Sequence, residues 1–102
     1  MAHPFGYTAA ETLTGNKTLT VADIADSNML SFDCGGSARS LTLPAEASCA
    51  GVVLFISNTS DDTEVLTIQD DTPATVCTPT QNEDAIVWCN GTSWYGGTLA
   101  AS

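Results

Sequence analysis

The sequence predicts a small all-β domain, a single antiparallel sandwich or barrel of jelly-roll-like form with an extended N-terminal arm. Short runs that alternate apolar and polar residues recur along the chain, with turn-forming residues between them. No run is long enough to form an independent helix. With 102 residues the chain has room for one core, so we expect one domain.

Six runs are predicted to form strands. The first three alternate or nearly so, as half-buried strands do, whereas the fourth is continuously apolar, as in a strand covered on both faces. In chain order the runs are 18–21, 29–32, 40–43, 51–56, 65–68 and 85–89. Turn-forming residues separate them at 33–36, 58–62 and 69–73. Segments 21–26 and 44–48 are each predicted to form a single helical turn.

The two ends of the chain differ from its middle. Residues 1–16 contain aromatic side chains without a sustained period, and Gly15 and Asn16 end this segment as a turn. We therefore predict an extended arm over 1–16, the β-domain over 17–97 and a fraying C-terminal tail over 98–102.

The charge of the chain restricts its partners. Twelve Asp and Glu residues stand against only Lys17 and Arg39, for a formal net charge of −10. Nucleic-acid binding needs clustered basic residues, which this chain lacks. No segment supplies the roughly 20 apolar residues of a membrane span, and the N-terminus lacks the basic and apolar regions of a secretory signal. We expect neither nucleic acid nor a membrane as partner, and synthesis in a cytosol.

The four cysteines, Cys34, Cys49, Cys77 and Cys89, leave two interpretations open. An even number allows three disulfide pairings, but a chain without a signal peptide favours reduced, buried thiols. The gaps between them do not match the paired close spacings of a zinc site, so no metal is predicted.

Few residues offer catalytic chemistry. His3 is the one histidine of the sequence and lies in the predicted arm. The acidic pairs at 61–62 and 70–71 fall in predicted turns, where Asp bonds its own backbone, and neither fits a calcium loop. No nucleophile, phosphate or dinucleotide motif is present. We expect no enzyme activity and no cofactor, and the sequons at Asn16, Asn58 and Asn90 are interpreted as chance matches.

The segment 85–97, AIVWCNGTSWYGG, is predicted to be a hairpin. Trp88 belongs to the incoming strand, Asn90 and Gly91 form a tight turn, and Trp94 and Tyr95 return along the partner strand. Cross-strand pairing of these aromatic residues would stabilise the hairpin and seal an edge of the core. The alternative is an exposed platform on which sugars stack.

These segments also carry a resemblance to a known family. The matching segments are Ser40-Leu41-Thr42-Leu43-Pro44, Ala50-Gly51, Ile56-Ser57-Asn58, Leu66-Thr67-Ile68 and Cys89-Asn90-Gly91-Thr92-Ser93-Trp94-Tyr95. The pattern resembles that of small β-structured virion proteins of tailed bacteriophages, especially head decoration (cement) proteins, over residues 17–95. It also occurs in phage tail-fibre and other appendage modules. Asn90 stands where the family usually has an acidic residue before the glycine.

The resemblance implies a non-enzymatic structural role. Decoration proteins of this kind sit as homotrimers on the exterior of the expanded capsid, where they bind the major capsid protein and clamp adjacent capsomers. The expected location is therefore the capsid exterior of a virion, after synthesis in the host cytoplasm. Phe5 and Tyr7 of the arm are the candidate anchors on a neighbouring subunit, because aromatic residues supply much of the energy at such contacts.

Two alternatives remain. One is a tail-fibre or receptor-binding module in which Trp88, Trp94 and Tyr95 contact host glycan, although such a module usually belongs to a longer chain with a shaft. The other is a secreted binding domain held by disulfides, which four free thiols would dismiss.

Overall fold

The structure, a computed structural model, describes residues 6–8 and 10–99 and confirms a small all-β domain. Nine strands form two sheets in the described part of the chain. The strands are β1 (Glu11–Thr12), β2 (Lys17–Thr18), β3 (Met29–Asp33), β4 (Arg39–Thr42), β5 (Val53–Asn58), β6 (Leu66–Gln69), β7 (Thr75–Cys77), β8 (Asp84–Cys89) and β9 (Trp94–Leu99). The five-stranded sheet has the order β1-β3-β5-β8-β9, and the four-stranded sheet the order β2-β4-β6-β7.

The first six strands wind from one sheet to the other and back, as in a short β-solenoid. Strands β1, β3 and β5 pair in parallel in one sheet, and β2, β4 and β6 pair in parallel in the other. Antiparallel pairing begins only when β7 returns along β6, β8 along β5 and β9 along β8. The predicted antiparallel, jelly-roll-like topology is therefore corrected for the N-terminal half. The physical reason is that alternation shows which residues are buried, whereas strand direction depends on where each connection leads.

The winding has no constant length. In the five-stranded sheet, paired residues lie 21 positions apart between β1 and β3 and 26 positions apart between β3 and β5. In the four-stranded sheet, they lie 24 positions apart between β2 and β4 and 27 positions apart between β4 and β6. Because each turn of the winding differs in length, the sequence carries no repeat of fixed period.

The core lies between the two sheets. Inward side chains come from alternate positions of the strands, as a strand period of two requires. They include Leu30, Phe32, Leu41, Leu54, Ile56, Leu66, Ile68, Ala85 and Val87. Leu13, Leu19 and Leu43 are also buried, where the chain leaves one sheet for the other. Each fully buried Leu or Ile contributes about 1.5–3 kcal/mol relative to an exposed one.

Both predicted helical turns are present, as 3₁₀ turns at Ala22–Ile24 and Glu46–Ser48. The first has a reciprocal cap, in which the Thr20 amide donates to Asp23 Oδ2 at 2.9 Å and the Asp23 amide donates to Thr20 Oγ1 at 3.3 Å. The bond from the Thr20 amide is the main cause that lowers the pKa of the Asp23 carboxyl, and the Thr20 hydroxyl and the charge of Lys17 lower it further. Among the described residues no helix is long and apolar enough to cross a membrane.

The N-terminal segment is partly integrated into the domain. The Gly6 carbonyl accepts bonds from the Asn28 and Met29 amides, and the Thr8 amide donates to the Met29 carbonyl at 3.0 Å. Strand β1 then extends the five-stranded sheet, and Leu13 is 3% exposed. Residues 6–8 and 11–13 of the predicted arm thus contact the chain's own sheet. At the other end β9 runs to Leu99, two residues into the predicted tail, and residues 100–102 lie outside the described part.

Gly35 is expected to be a sensitive position. Its φ is +73°, and a Cβ there would lie 2.2 Å from the Leu13 carbonyl oxygen. Gly35→Ala should lower the free energy of unfolding by about 2–3 kcal/mol, because it adds backbone strain and pushes against the β1 connection. Urea unfolding followed by far-UV circular dichroism measures this loss. Gly15→Ala is the control, since its Cβ would meet open space, and equal stability of the two variants would contradict the prediction.

Candidate functional site

Strands β8 and β9 form the predicted hairpin, closed by the pair Cys89 and Trp94. The loop between them has four residues, not a two-residue turn. Asn90 Oδ1 accepts bonds from the amides of Thr92 and Ser93, both at 2.9 Å, and Gly91 adopts a φ of +94°. Asn90 therefore holds the turn with its side chain, and Gly91 is the loop residue with a positive φ.

The hairpin separates the aromatic residues that the sequence brings together. Trp94 points inward, is 6% exposed and donates from Nε1 to the Pro44 carbonyl at 2.8 Å. Trp88 and Tyr95 point outward, are 45% and 46% exposed, and stack with ring centroids 6.0 Å apart at an interplanar angle of 29°. Trp94 is thus part of the core, and only the Trp88–Tyr95 pair is available to a partner.

Part of the outer side of the five-stranded sheet is apolar, and outward polar residues such as Ser31 and Ser57 lie next to it. Residues that face each other across neighbouring strands form two rows, and together these side chains are called the apolar face. One row is Met29, Phe55 and Ile86, and the other is Val53, Trp88 and Tyr95. Tyr7, 61% exposed, lies beside Met29, and Leu99 lies opposite Asp84 at the margin. Apart from Val21, every large hydrophobic residue that is exposed in the described chain belongs to this surface or its margin.

The outer side of the four-stranded sheet is polar instead. Its outward positions are Thr18, Ser40, Thr42, Thr67 and Gln69. Gln69 Nε2 donates to Thr42 Oγ1 at 2.9 Å across the strands. A sheet with one solvated face normally alternates apolar-in and polar-out. The four-stranded sheet follows this rule, and the five-stranded sheet departs from it.

Both basic residues lie away from the apolar face. Lys17 of β2 pairs with Glu11 at 3.3 Å, and Arg39 Nε of β4 donates to the Cys34 carbonyl at 2.8 Å. Asp84 is the carboxylate at the margin of the face, next to a shallow groove of about 260 Å³ over Ser31 and Ser57. A neutral patch therefore lies on a chain with a net charge of −10.

The acidic pairs of the sequence lie in turns, as predicted. Asp70 Oδ1 accepts bonds from Thr72 and Ala74, which lowers the pKa of its carboxyl. Asp62 bonds the Thr63 amide. Asp33, Asp61 and Glu64 bring carboxylate oxygens within 4.8 Å of one another. Two of these three carboxylates already accept backbone bonds, since Asp33 bonds the Gly35 amide and Glu64 the Gly36 amide.

All four cysteines are free and buried in the structure. Cys49 and Cys89 lie close together, because the Glu46 carbonyl accepts bonds from both the Cys49 amide and Cys89 Sγ. Burial raises the pKa of the Cys49 thiol, and the neighbouring Cys89 and Glu46 add to this. Burial also raises the pKa of the Cys77 thiol.

Thiol reactivity tests this arrangement. With an aromatic disulfide reagent, unfolded protein should release four equivalents, and native protein should react at least about 100-fold more slowly, since each thiol must wait for local opening. Fewer than four thiols in denaturant would contradict it.

Alkaline pH should destabilise the fold, because the pKa of the Cys49 and Cys77 thiols is higher in the folded protein than in the unfolded protein. The contribution of these two thiols to the free energy of unfolding is fully present below the unfolded thiol pKa of about 8.5. This contribution is lost as the pH rises above that value, which alkaline unfolding curves would measure.

The sequence-predicted site residues therefore have different roles. Asn90, Gly91 and Trp94 build the hairpin, Trp88, Tyr95 and Tyr7 reach the surface, and Phe5 and His3 lie outside the described residues. Sequence reasoning missed Met29, Val53, Phe55 and Ile86 as surface residues. The apolar run at 52–56 was the one indication, because such a strand needs cover on both faces. Comparison of the chain with models of protein families, with curated proteins and with solved structures found no match.

Proposed function

We propose that this protein is a structural virion protein that decorates and stabilises the outside of a phage capsid by bridging capsomers as a homotrimer. The observation that carries the proposal is the contrast between the neutral apolar face and the acidic remainder of the chain. The resemblance of residues 17–95 to head decoration proteins supports the same assignment. The proposal gives the protein no catalytic role.

The size of the exposed apolar surface supports a role in protein contact. Six large hydrophobic residues on this side of the domain, the exposed members of the apolar face with Tyr7 and Leu99, are 38–61% exposed. The largest apolar patch of an ordinary monomer is about 300–600 Å² and is often functional. An acidic surface turned to solvent keeps neighbouring particles apart. A decoration protein needs both properties at once, on different sides of the domain.

The design of the domain also suits assembly without uncontrolled growth. The sheet edges at the start of the winding are β1 and β2, two residues each. Glu11 and Lys17 place a charge pair there. Short, charged edge strands discourage pairing with further strands. We infer that contacts between chains use side-chain surfaces, while the start of the winding stays closed.

The major capsid protein is the proposed partner, and Tyr7 is a proposed anchor. Its ring is 61% exposed and extends the apolar face beyond Met29. Deleting residues 2–11 would also remove the Gly6 bonds and half of β1, so it would test stability as well as binding. Tyr7→Ser and Phe5→Ser are cleaner tests. If both variants bind capsids as well as the unchanged chain does, the anchor assignment is wrong.

Copy number per virion tests the proposed function. Quantitative mass spectrometry of purified particles would compare this chain with the major capsid protein. A ratio near one to one, or another fixed fraction of the lattice, is the expected result. A handful of copies would place the protein in the tail or a fibre, and absence from the particle would overturn the virion assignment.

A tail-fibre or receptor-binding module that contacts host glycan is the second candidate, favoured by the exposed Trp88–Tyr95 stack. Its weak point is the polar support, because Asn90 Oδ1 already accepts two bonds within its own turn. Titration with host surface polysaccharide, followed by tryptophan fluorescence, separates the candidates. Saturable quenching that Trp88→Ala abolishes would favour the glycan module.

A further inference from the structure

We propose that Cys49 and Cys89 are a latent disulfide pair, which joins the β8–β9 hairpin to the connection before β5 when the reduced chain meets an oxidant. Both are free cysteines in the structure, and the sequence alone leaves three pairings of the four cysteines open. The bond lies within one chain and needs no partner protein, so it is independent of the proposed function.

The two cysteines lie on neighbouring segments that contact each other at several points. The Glu46 carbonyl accepts a bond from the Cys49 amide at 2.9 Å and one from Cys89 Sγ at 3.5 Å. The carbonyl of Cys89 accepts a bond from the Gly51 amide at 2.9 Å, and its amide donates to the Val52 carbonyl at 3.0 Å. These bonds hold the end of β8 against the connection that contains Cys49.

The side chain of Cys89 has a fixed position. Its Sγ accepts a bond from the Gly91 amide at 3.4 Å and donates to the Glu46 carbonyl, so the sulfur is directed toward the connection. Gly91 approaches this connection so closely that a Cβ there would lie 3.2 Å from Ala50 Cβ. Burial raises the pKa of the Cys49 thiol, and the neighbouring Cys89 is the next cause, which also indicates that the two thiols are close.

The other two cysteines have different neighbours. Cys34 follows β3, and its Sγ donates to the Val65 carbonyl at 3.8 Å. Cys77 ends β7, and its thiol bonds the side chain of Thr98 in β9. In the described part of the chain, Cys49 and Cys89 are therefore the two cysteines that share a hydrogen-bond partner.

The connection that contains Cys49 is able to adjust. Cys49 is buried, but Ala47, Ser48, Ala50 and Gly51 on either side of it are exposed. A Cβ at Gly51 would meet open space. Opening of this surface connection, without opening of the core, would expose the thiol to an oxidant and let the two sulfurs reach bonding distance.

The proposed oxidant is a small-molecule disulfide such as oxidised glutathione. One cysteine attacks it as the thiolate, forms a mixed disulfide and releases one glutathione thiol. The second cysteine then attacks the mixed disulfide, so that the bond between Cys49 and Cys89 forms and the second glutathione leaves. The two cysteines lose two electrons, oxidised glutathione is reduced to two thiols, and the two cysteine protons end on these thiols.

Peptide mapping tests the pairing. Freshly reduced native protein is incubated with oxidised glutathione, alkylated and digested without reductant. The peptide that links Cys49 to Cys89 should account for most of the intramolecular disulfide. The same oxidation in concentrated urea should instead favour the short loops of an unfolded chain, because Cys77 and Cys89 lie 12 positions apart and Cys34 and Cys49 lie 15 apart.

Two double variants with equal numbers of thiols make the test specific. Cys34→Ala with Cys77→Ala keeps the pair and should form the disulfide as completely as the unchanged chain does. Cys49→Ala with Cys89→Ala should form no intramolecular disulfide. Far-UV circular dichroism before oxidation verifies that each variant is folded, and mapping of the unchanged chain decides the pairing if either variant is not.

The disulfide should also stabilise the domain. It joins residues 40 positions apart, and such a bond acts mainly by restricting the unfolded chain. Oxidation of the variant that keeps Cys49 and Cys89 should raise the equilibrium constant for folding at least about 10-fold, and reductant should reverse this gain. Urea unfolding with and without reductant measures the change.

Three results would overturn the inference. They are a different pairing in the native protein, a product that remains a mixed disulfide with glutathione, and an oxidised pair that unfolds as readily as the reduced one. None of these results bears on the proposed function. Absence of the protein from virions would remove the proposed function and leave the disulfide pair intact.

Discussion

Replacing Asn58 with alanine is expected to lower the free energy of unfolding by about 3–5 kcal/mol, the largest effect of any polar substitution in this chain. Asn58 ends β5 and is 1% exposed. Its Nδ2 donates to the carbonyls of Glu64 and Pro79, at 2.9 and 3.0 Å. Its Oδ1 accepts bonds from the amide and the hydroxyl of Ser60, at 3.0 and 2.6 Å.

The effect is large because one side chain ties three loops together. Glu64 lies in the connection before β6, and Pro79 lies in the connection after β7. Ser60 Oγ in turn accepts a bond from the amide of Cys34, in the connection after β3, at 2.9 Å. Alanine would leave the Glu64 carbonyl and the Ser60 amide without these partners, whereas the Pro79 carbonyl would keep its bond from the Leu66 amide. Each orphaned group costs about 1–3 kcal/mol. Equilibrium urea unfolding measures the loss.

Two variants make this test specific. Asn90→Ala removes two bonds in an exposed turn, where water replaces them, so it should cost about 1 kcal/mol or less. Asn58→Asp keeps the acceptor for Ser60 but turns an oxygen toward two carbonyl oxygens, and should destabilise at least as much as alanine. A loss below about 1.5 kcal/mol for Asn58→Ala would contradict the network.

The two tryptophans should differ strongly in how much stability the same substitution costs. Trp94→Ala is expected to cost about 3–5 kcal/mol, because it removes a buried ring and orphans the Pro44 carbonyl. Trp88→Ala should cost less than about 1 kcal/mol in a single chain, since its ring is half exposed and loses chiefly its stacking on Tyr95.

Circular dichroism is the appropriate measurement, because both variants alter the fluorescence. Unfolding curves over a series of protein concentrations separate the folding of each chain from its association. Equal losses for the two variants at low concentration would contradict the separation of the rings into core and surface.

Much of the secondary structure could be predicted from the sequence because it depends on local patterns. Alternation at 29–32, 40–43 and 65–68 marks strands wherever they pair, and the run AIVWCNGTSWY marks a hairpin through its turn residues. Strands β1 and β7, of two and three residues, were missed because so short a segment has no measurable period. Strand β1 pairs with β3, which is distant in sequence, and β7 pairs with β6 through a bulge.

The candidate site was predictable only in part. Trp88 and Tyr95 could be named because they are close in sequence, but their neighbours Met29 and Val53 come from strands far along the chain. The alternation of residues along β8 places Trp88 on one face with Ile86. It did not show which face of the sheet would be covered by the core.

The sequence by itself determined that this chain forms a small all-β domain with a strong negative charge, because strand period, turn residues and formal charge are local or additive properties. Only the tertiary structure decided the parallel winding of the first six strands, the burial of Trp94 and the assembly of the apolar face. These features depend on which sheet each connection enters, and that choice is made by packing between segments that are distant in sequence.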